Sequence, residues 1–208
     1  ITFGGDGGTY DIGLQSLSGA MERGHDMVYV CYDNEAYMNT GIQRSSSTPR
    51  FADSTTTPVG AVHQGKPQNK KDLTEIMVAH GIPYVAQTTF IGNFRDLHEK
   101  SRKAIYTPGA AFLNVLSPCP RGWRYPTEDI AAIVKAAVVS CVWPMFEVEN
   151  GAYRLTYEPK RKLPVADYMK LQGRFAHCFK KENEWMLEQA QQWVDEKWNA
   201  LLEKCTNT

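Results

Sequence analysis

The sequence predicts an α/β chain built on a doubly wound, mainly parallel sheet, with helices on both faces and a C-terminal helical tail. Three observations predict it. Short apolar runs of strand length alternate with longer stretches whose apolar residues recur at helical spacing. The loops that follow the strand-like runs carry the glycines, carboxylates and amides, as expected where ligands bind at the carboxyl ends of parallel strands. The last stretch, by contrast, is one long helical pattern with no strand between its parts.

In chain order, Ile1-Thr2-Phe3 reads as the end of a strand entering the turn Gly4-Gly5-Asp6-Gly7-Gly8. That abrupt entry suggests that an upstream part of the domain is missing. Residues 11–23 place Ile12, Leu14, Leu17 and Met21 at helical spacing. Residues 27–32, Met-Val-Tyr-Val-Cys-Tyr, read as a short buried strand. The polar loop Asp33-Asn34-Glu35-Ala36-Tyr37-Met38-Asn39-Thr40-Gly41 follows. Residues 45–71 are rich in Ser, Thr, Pro, Gly and Lys and read as a long surface excursion. Asp72 is the predicted N-cap of a helix to His80, with Glu75 placed for a capping box and Gly81 and Pro83 ending it.

A strand is expected over 84–88. A helix starting at Asn93 or Asp96 should run to Ala104, and a strand should cover 111–116. Thr127 starts a helix reaching Cys141. Residues 146–149 and 152–157 flank Asn150-Gly151, a strong hairpin signal. A helix is expected over 163–175, beside the basic residues Lys160, Arg161 and Lys162, which read as a solvated face. Residues 180–204 form the long tail helix, where Trp185, Trp193 and Trp198 suggest packing against the body of the domain. The predicted division is an α/β domain over 1–158 and a helical tail over 159–208.

The first 41 residues offer two halves of one site. Gly4, Gly5, Gly7 and Gly8 suit a turn whose backbone adopts conformations closed to other residues and lets phosphate oxygens approach. The following helix would present its N–H groups and dipole to an anion. Asp6 is the natural metal ligand, since magnesium takes one or two carboxylates along with phosphate and water oxygens. The second loop returns further oxygens from Asn34 and a backbone carbonyl. The bland alternative is a generic anion turn. The dinucleotide fingerprint G-x-G-x-x-G is absent, because Tyr10 stands where its last glycine belongs.

Composition narrows the classes. Lys plus Arg equals Asp plus Glu, 23 each over 208 residues, so no polyanion-binding tendency shows and nucleic acid is not an expected partner. No apolar run approaches the ~18 residues of a membrane helix, so no membrane is expected. Five cysteines (Cys31, Cys119, Cys141, Cys178 and Cys205) lack C-x-x-C spacing and suit a reducing cytoplasm. Cys31 and Cys141 lie in apolar runs and read as core. Cys119 sits in Ser-Pro-Cys-Pro after a strand, where a thiolate could ligate a metal. Arg121 and Arg124 flank Trp123 in that loop and read first as surface charge. The five histidines show no zinc spacing, and no nucleophile elbow or phosphate-loop motif appears.

Gly5-Asp6-Gly7 followed by Asn34 resembles the thiamine-diphosphate fingerprint. More specifically, residues 5–26 and 32–46 resemble the β subunit of 2-oxoacid:ferredoxin oxidoreductases, the pyruvate synthase type or the related oxalate oxidoreductase. Thr55-Thr56-Thr57-Pro58, residues 79–86, Leu116-Ser117-Pro118-Cys119-Pro120-Arg121-Gly122-Trp123 and residues 143–147 extend the match to about Val165. The resemblance implies a thiamine diphosphate-binding fold. It implies that Gly5, Asp6, Gly7, Gly8, Asn34, Ala36, Asn39 and Thr40 line the cofactor. Asp6, Asn34 and the Ala36 carbonyl would hold Mg2+, with Asn39 as the catalytic hydrogen-bond donor. Cys119 would be the fourth ligand of a 4Fe–4S cluster whose other cysteines lie upstream of the glycine turn.

The implied activity is oxidative decarboxylation of a 2-oxoacid such as pyruvate, with electrons passing to ferredoxin and the acyl group to coenzyme A. The oxalate branch would need no coenzyme A. A glutamate that activates the cofactor's pyrimidine has no counterpart here, so activity is expected only with partner subunits. Residues 87–92 depart from the smaller stretch of pyruvate-type relatives. A non-catalytic nucleotide- or anion-binding module is the rival from another class.

Overall fold

A computed structural model describes residues 1–90 and 94–206. Its strands are β1 (Thr2–Gly5), β2 (Met27–Asp33), β3 (Tyr84–Thr89), β4 (Ala110–Leu116), β5 (Met145–Glu149) and β6 (Ala152–Tyr157). Among the described residues they form one six-stranded sheet in the order β1-β2-β4-β3-β5-β6. The first four are parallel, and β5 and β6 add an antiparallel edge. The hairpin joining that edge has Asn150 at φ 50° and Gly151 at φ 86°, as a type I′ turn requires. β3 and nearly all of β4 are buried, in keeping with their mainly apolar sequences, and the buried Gln87 and Asn114 within them both hydrogen-bond Thr74.

Helices cover both faces. On one side α1 (Leu14–Glu22), α2 (Leu73–Val78) and the last turns of α7 (Glu184–Thr206) pack Leu17, Met21, Leu73, Met77 and Leu201 against Cys31, Val85 and Phe112. On the other, α3 (Arg95–Tyr106) brings Ala104 to Val28, Ala86 and Leu113. A third core lies around the carboxyl end of β4. There the short α4 (Pro120–Trp123), α5 (Ile130–Val139), α6 (Val165–Met169) and the start of α7 gather Trp123, Ile133, Trp143, Tyr168, Phe175 and Met186. Trp193 and Trp198 pack onto these cores, while Trp185 stays exposed with its edge against Phe51. Among the described residues no helix is long and apolar enough to cross a membrane.

Four local expectations change. Residues 45–71 are a surface excursion only in part: residues 55–64 are mostly exposed, but the stretches on either side carry buried residues. Ser45, Ser47, Thr48, Phe51, Ala52 and Lys66 are buried, and the Lys66 ammonium donates to the carbonyls of Ser46 and Thr48 at 3.2 and 2.5 Å. A polar loop can be buried when its backbone groups find partners in this way. The helix expected over 163–175 stops at Met169, because Gln172 turns extended and Gly173 opens a 3-10 segment to Phe179. Asp72 caps α2, accepting from the Glu75 N–H at 3.2 Å, but the Glu75 side chain does not close a capping box. It accepts instead from the Tyr153 hydroxyl and Lys204. The helix begun near Thr127 ends at Val139, and Cys141 beyond it is left-handed at φ 61°. Asn93, one of two predicted starts for α3, and Ile91 and Gly92 of the 87–92 stretch lie outside the described residues.

Candidate functional site

Parallel order puts the ends of β1, β2 and β4 along one edge of the sheet. Asp6 follows β1, Asp33 closes β2, and Ser117 after β4 donates its N–H to the Asp33 carbonyl at 2.8 Å. The glycine turn acts differently from expectation. None of Gly4, Gly5, Gly7 or Gly8 has a positive φ. Residues 7–12 already form one π-helical turn, closed by Gly13 N–H donating to the Gly8 carbonyl at 2.7 Å. Their smallness serves close approach instead. A Cβ on Gly4 would lie 2.2 Å from the Tyr29 hydroxyl, and one on Gly7 would lie 2.4 Å from the Tyr37 ring. A Cβ on Gly8 would meet nothing within 4 Å, so open space lies beside the helix start, where the first N–H groups lack intrahelical partners.

The two predicted halves meet. Asp6 is buried, accepts from Ser45 Oγ at 2.5 Å and from Asn34 N–H at 3.3 Å. One end of the Asn34 side-chain amide lies 2.9 Å from Asp6 Oδ1 and 2.8 Å from the Ala36 carbonyl oxygen. With its nitrogen there, the amide bonds both. With its oxygen there, three oxygens converge. Neighbouring ligands of an octahedral Mg2+ at about 2.1 Å stand roughly 3 Å apart, so the amide oxygen is spaced from each of the other two as neighbouring ligands of that shell would be. Among the described residues no cluster of three or more His, Cys, Asp or Glu side chains could hold a metal. The oxygens here come instead from one carboxylate, one amide and one main-chain carbonyl.

Charge balance points the same way. Asp33 and Glu35 are buried beside Asp6. Lys70 Nζ lies 2.8 Å from Asp33 and 2.9 Å from Glu35, and Arg174 Nη2 lies 2.5 Å from Glu35. Burial would raise Glu35, but Lys70 and Arg174 outweigh it and hold its carboxyl below the usual range. Two cations thus answer two carboxylates, and Asp6 is left over. Burial, then the Asp33 charge, push the Asp6 carboxyl up to about 8 against the opposing Ser45 hydrogen bond. A buried carboxylate without its own cation costs free energy until a proton or a metal neutralises it.

The remaining expected residues lie nearby or apart. Thr40 hydrogen-bonds within the loop to Gln43 at 2.5 Å, and Asn39 is exposed at the tip. Cys119 is half-buried at the start of α4. Arg121 is exposed, and Arg124, at φ 60°, pairs with Asp53 at 2.7 Å. Sequence reasoning missed Ser45, Asp33, Glu35, Lys70, Trp123 and Arg174 as supports of the site. Trp123 Nε1 donates to the Asn34 carbonyl at 2.8 Å, and the Arg174 guanidinium sits 3.9 Å above the Trp123 ring. The one sequence signal was that two acidic residues directly flank Asn34.

Comparisons with known proteins follow the same lines. Residues 1–115 match the family described as thiamine pyrophosphate enzyme, C-terminal TPP binding domain. The chain is 51% identical over 201 residues to pyruvate synthase subunit PorB of Methanocaldococcus jannaschii, covering 97% of this chain and 66% of that protein. It is 47% identical over 203 residues to ketoisovalerate oxidoreductase subunit VorB of Pyrococcus horikoshii, covering 97% and 64%. The chain therefore spans just under two thirds of the length of the curated relatives it matches. Among solved structures it resembles a 2-oxoglutarate:ferredoxin oxidoreductase from Magnetococcus marinus with 2-oxoglutarate, coenzyme A and succinyl-CoA bound. That match has a TM-score of 0.51 and 28% identity, over 64% of this chain and 50% of the other.

Proposed function

This chain belongs to the thiamine pyrophosphate enzyme family through its cofactor-binding domain, and from that premise we propose that it is the β subunit of a 2-oxoacid:ferredoxin oxidoreductase. The reaction is oxidative decarboxylation of a pyruvate-like 2-oxoacid, with the acyl group passing to coenzyme A and electrons to ferredoxin, in the cytoplasm and only with partner subunits. The observation that carries the reading is the convergence of Asp6, the Asn34 amide and the Ala36 carbonyl beside an uncompensated buried carboxylate.

Asp6, Asn34 and Ala36 would hold Mg2+. The helix start, open beside Gly8, would take the diphosphate through its first N–H groups, with Gly7 letting the turn pack against Tyr37. Thiamine diphosphate, when bound, supplies the carbon nucleophile and the electron sink for decarboxylation. Asn39 would donate a hydrogen bond where charge develops on the substrate, with Thr40 beside it. Residues 1–158 form the cofactor domain in this reading, and the tail over 159–208 reaches back to it through Arg174. Cys119 would be one ligand of a 4Fe–4S cluster. Among the described residues no group of three or more His, Cys, Asp or Glu side chains could complete its shell.

The test is anaerobic dye reduction by the native complex with pyruvate, 2-oxoisovalerate, 2-oxoglutarate and oxalate, each with and without coenzyme A. Turnover of pyruvate or 2-oxoisovalerate that requires coenzyme A is expected. Turnover of oxalate without coenzyme A would move the chain to the oxalate branch. A complex that retains neither thiamine diphosphate nor magnesium would leave only an anion-binding module.

A further inference from the structure

Asn34 and Ala36 are separated by a residue whose conformation is unusual for its type. Glu35 has φ 65°, in the left-handed region that glycine occupies at little cost and other side chains avoid. The local chain turns there, so that one end of the Asn34 amide lies between Asp6 Oδ1 and the Ala36 carbonyl. A glycine would serve the backbone better, so the side chain must contribute something that glycine cannot.

Its contacts say what. One carboxylate oxygen takes Lys70 at 2.9 Å and the other takes Arg174 at 2.5 Å. The Glu35 N–H donates to Asp33 at 3.0 Å, and its carbonyl accepts from Thr48 Oγ1 at 2.6 Å. Every polar group of the residue is therefore held. Arg174 is itself fixed by Gln172 at 2.9 Å and by the Trp123 ring beneath it, and Trp123 donates to the Asn34 carbonyl. The anchors thus close a ring around the turn, tying the Asn34 side of it to the Glu35 side.

We propose that Glu35 is a positioning residue for the metal loop. Its buried ion pairs with Lys70 and Arg174 hold the left-handed turn that sets the Asn34 amide against both Asp6 and the Ala36 carbonyl. The inference rests on the proposed metal site. It goes beyond that reading by assigning the geometry of the site to a residue that touches neither metal nor cofactor, and to an arginine 139 positions away.

Mn2+ is the probe, added to the EDTA-treated native complex in the presence of thiamine diphosphate. Free Mn2+ is counted by its EPR signal, and thermal melts are run alongside. Glu35→Gln, Glu35→Gly and Arg174→Lys are compared with wild type and Asp6→Asn. Loss of a partner that orients metal ligands typically weakens metal binding about 10- to 100-fold, and each of the three variants should weaken Mn2+ binding by at least the lower figure. Glu35→Gly is the discriminating case. It relieves the backbone strain but leaves the Lys70 and Arg174 charges without Glu35, so it should melt lower in either case, and unchanged Mn2+ affinity would overturn the proposal. Arg174→Lys keeps the charge but loses the planar stack, and it serves if the Glu35 variants fail to assemble. Wild type and Asp6→Asn binding Mn2+ equally would instead refute the metal site itself.

Discussion

Replacing Asp6 with Asn should move stability in opposite directions depending on whether the site is loaded. In the metal-free protein the Asp6 carboxyl holds its proton up to about pH 8, against a reference value of 3.8. The folded group therefore binds more protons than the unfolded one across that window. The stability cost is absent below pH 3.8, grows as pH rises, and is complete by about pH 8. At 1.36 kcal/mol per unit the cost reaches up to ~4 kcal/mol at pH 7. Asn cannot ionise, and its single oxygen can accept from Ser45 or from the Asn34 N–H but not from both, since the two bond different oxygens of Asp6. Weakening those bonds should return about 1–2 kcal/mol. The stripped variant should therefore be more stable than stripped wild type at pH 7 by roughly 2 kcal/mol, and equal to it or weaker near pH 4.

Loading reverses the order. Ligand at a hundredfold excess over Kd stabilises wild type by about 2.7 kcal/mol, and the variant should gain almost none of it. Thermal melts of EDTA-stripped and Mg2+–thiamine diphosphate-loaded protein at pH 4, 7 and 8 measure both effects. A stripped variant that melts below wild type at pH 7, or a variant that still gains on loading, would refute the assignment of Asp6 as the uncompensated metal carboxylate.

Other outcomes follow from single contacts. Lys100 is buried, with its ammonium 2.8 Å from the Gln87 carbonyl and from Asp96, and burial brings it down to about 8 despite Asp96. The folded group loses its proton before the unfolded one, so its contribution to stability should rise between pH 8 and 10.5. Subtracting a Lys100→Met denaturation series should isolate that rise, up to ~3 kcal/mol. Gly151→Ala places a Cβ at φ 86° and should cost about 1 kcal/mol, read as a lower urea midpoint at unchanged m-value. Leu201→Ala should cost about 2–5 kcal/mol, because Leu201 is a buried member of the sheet core. A loss under 0.5 kcal/mol would mean that the tail merely lies alongside.

The sequence by itself determined the alternation of strands and helices, the Asn150–Gly151 hairpin, the strands β3 and β4, and the two loops at Asp6 and Asn34 that the fold brings together. These are short-range properties: side-chain periodicity, turn chemistry, and loops that must follow strands at one edge of a parallel sheet. The reading went wrong where burial depends on distant partners. Ser45 and Lys66 sit in a segment whose composition says surface, yet they are buried because Asp6 accepts from one and loop carbonyls accept from the other. The helix expected to reach Phe175 gave way at Gln172 and Gly173, and the same segment delivers Arg174 to Glu35. Only the tertiary structure decided that two cations would neutralise Asp33 and Glu35 and leave Asp6 unanswered. Lys70 and Arg174 stand 35 and 139 residues from Glu35. No local pattern encodes such pairs, because the strand order and the helices beyond the sheet bring the charges together.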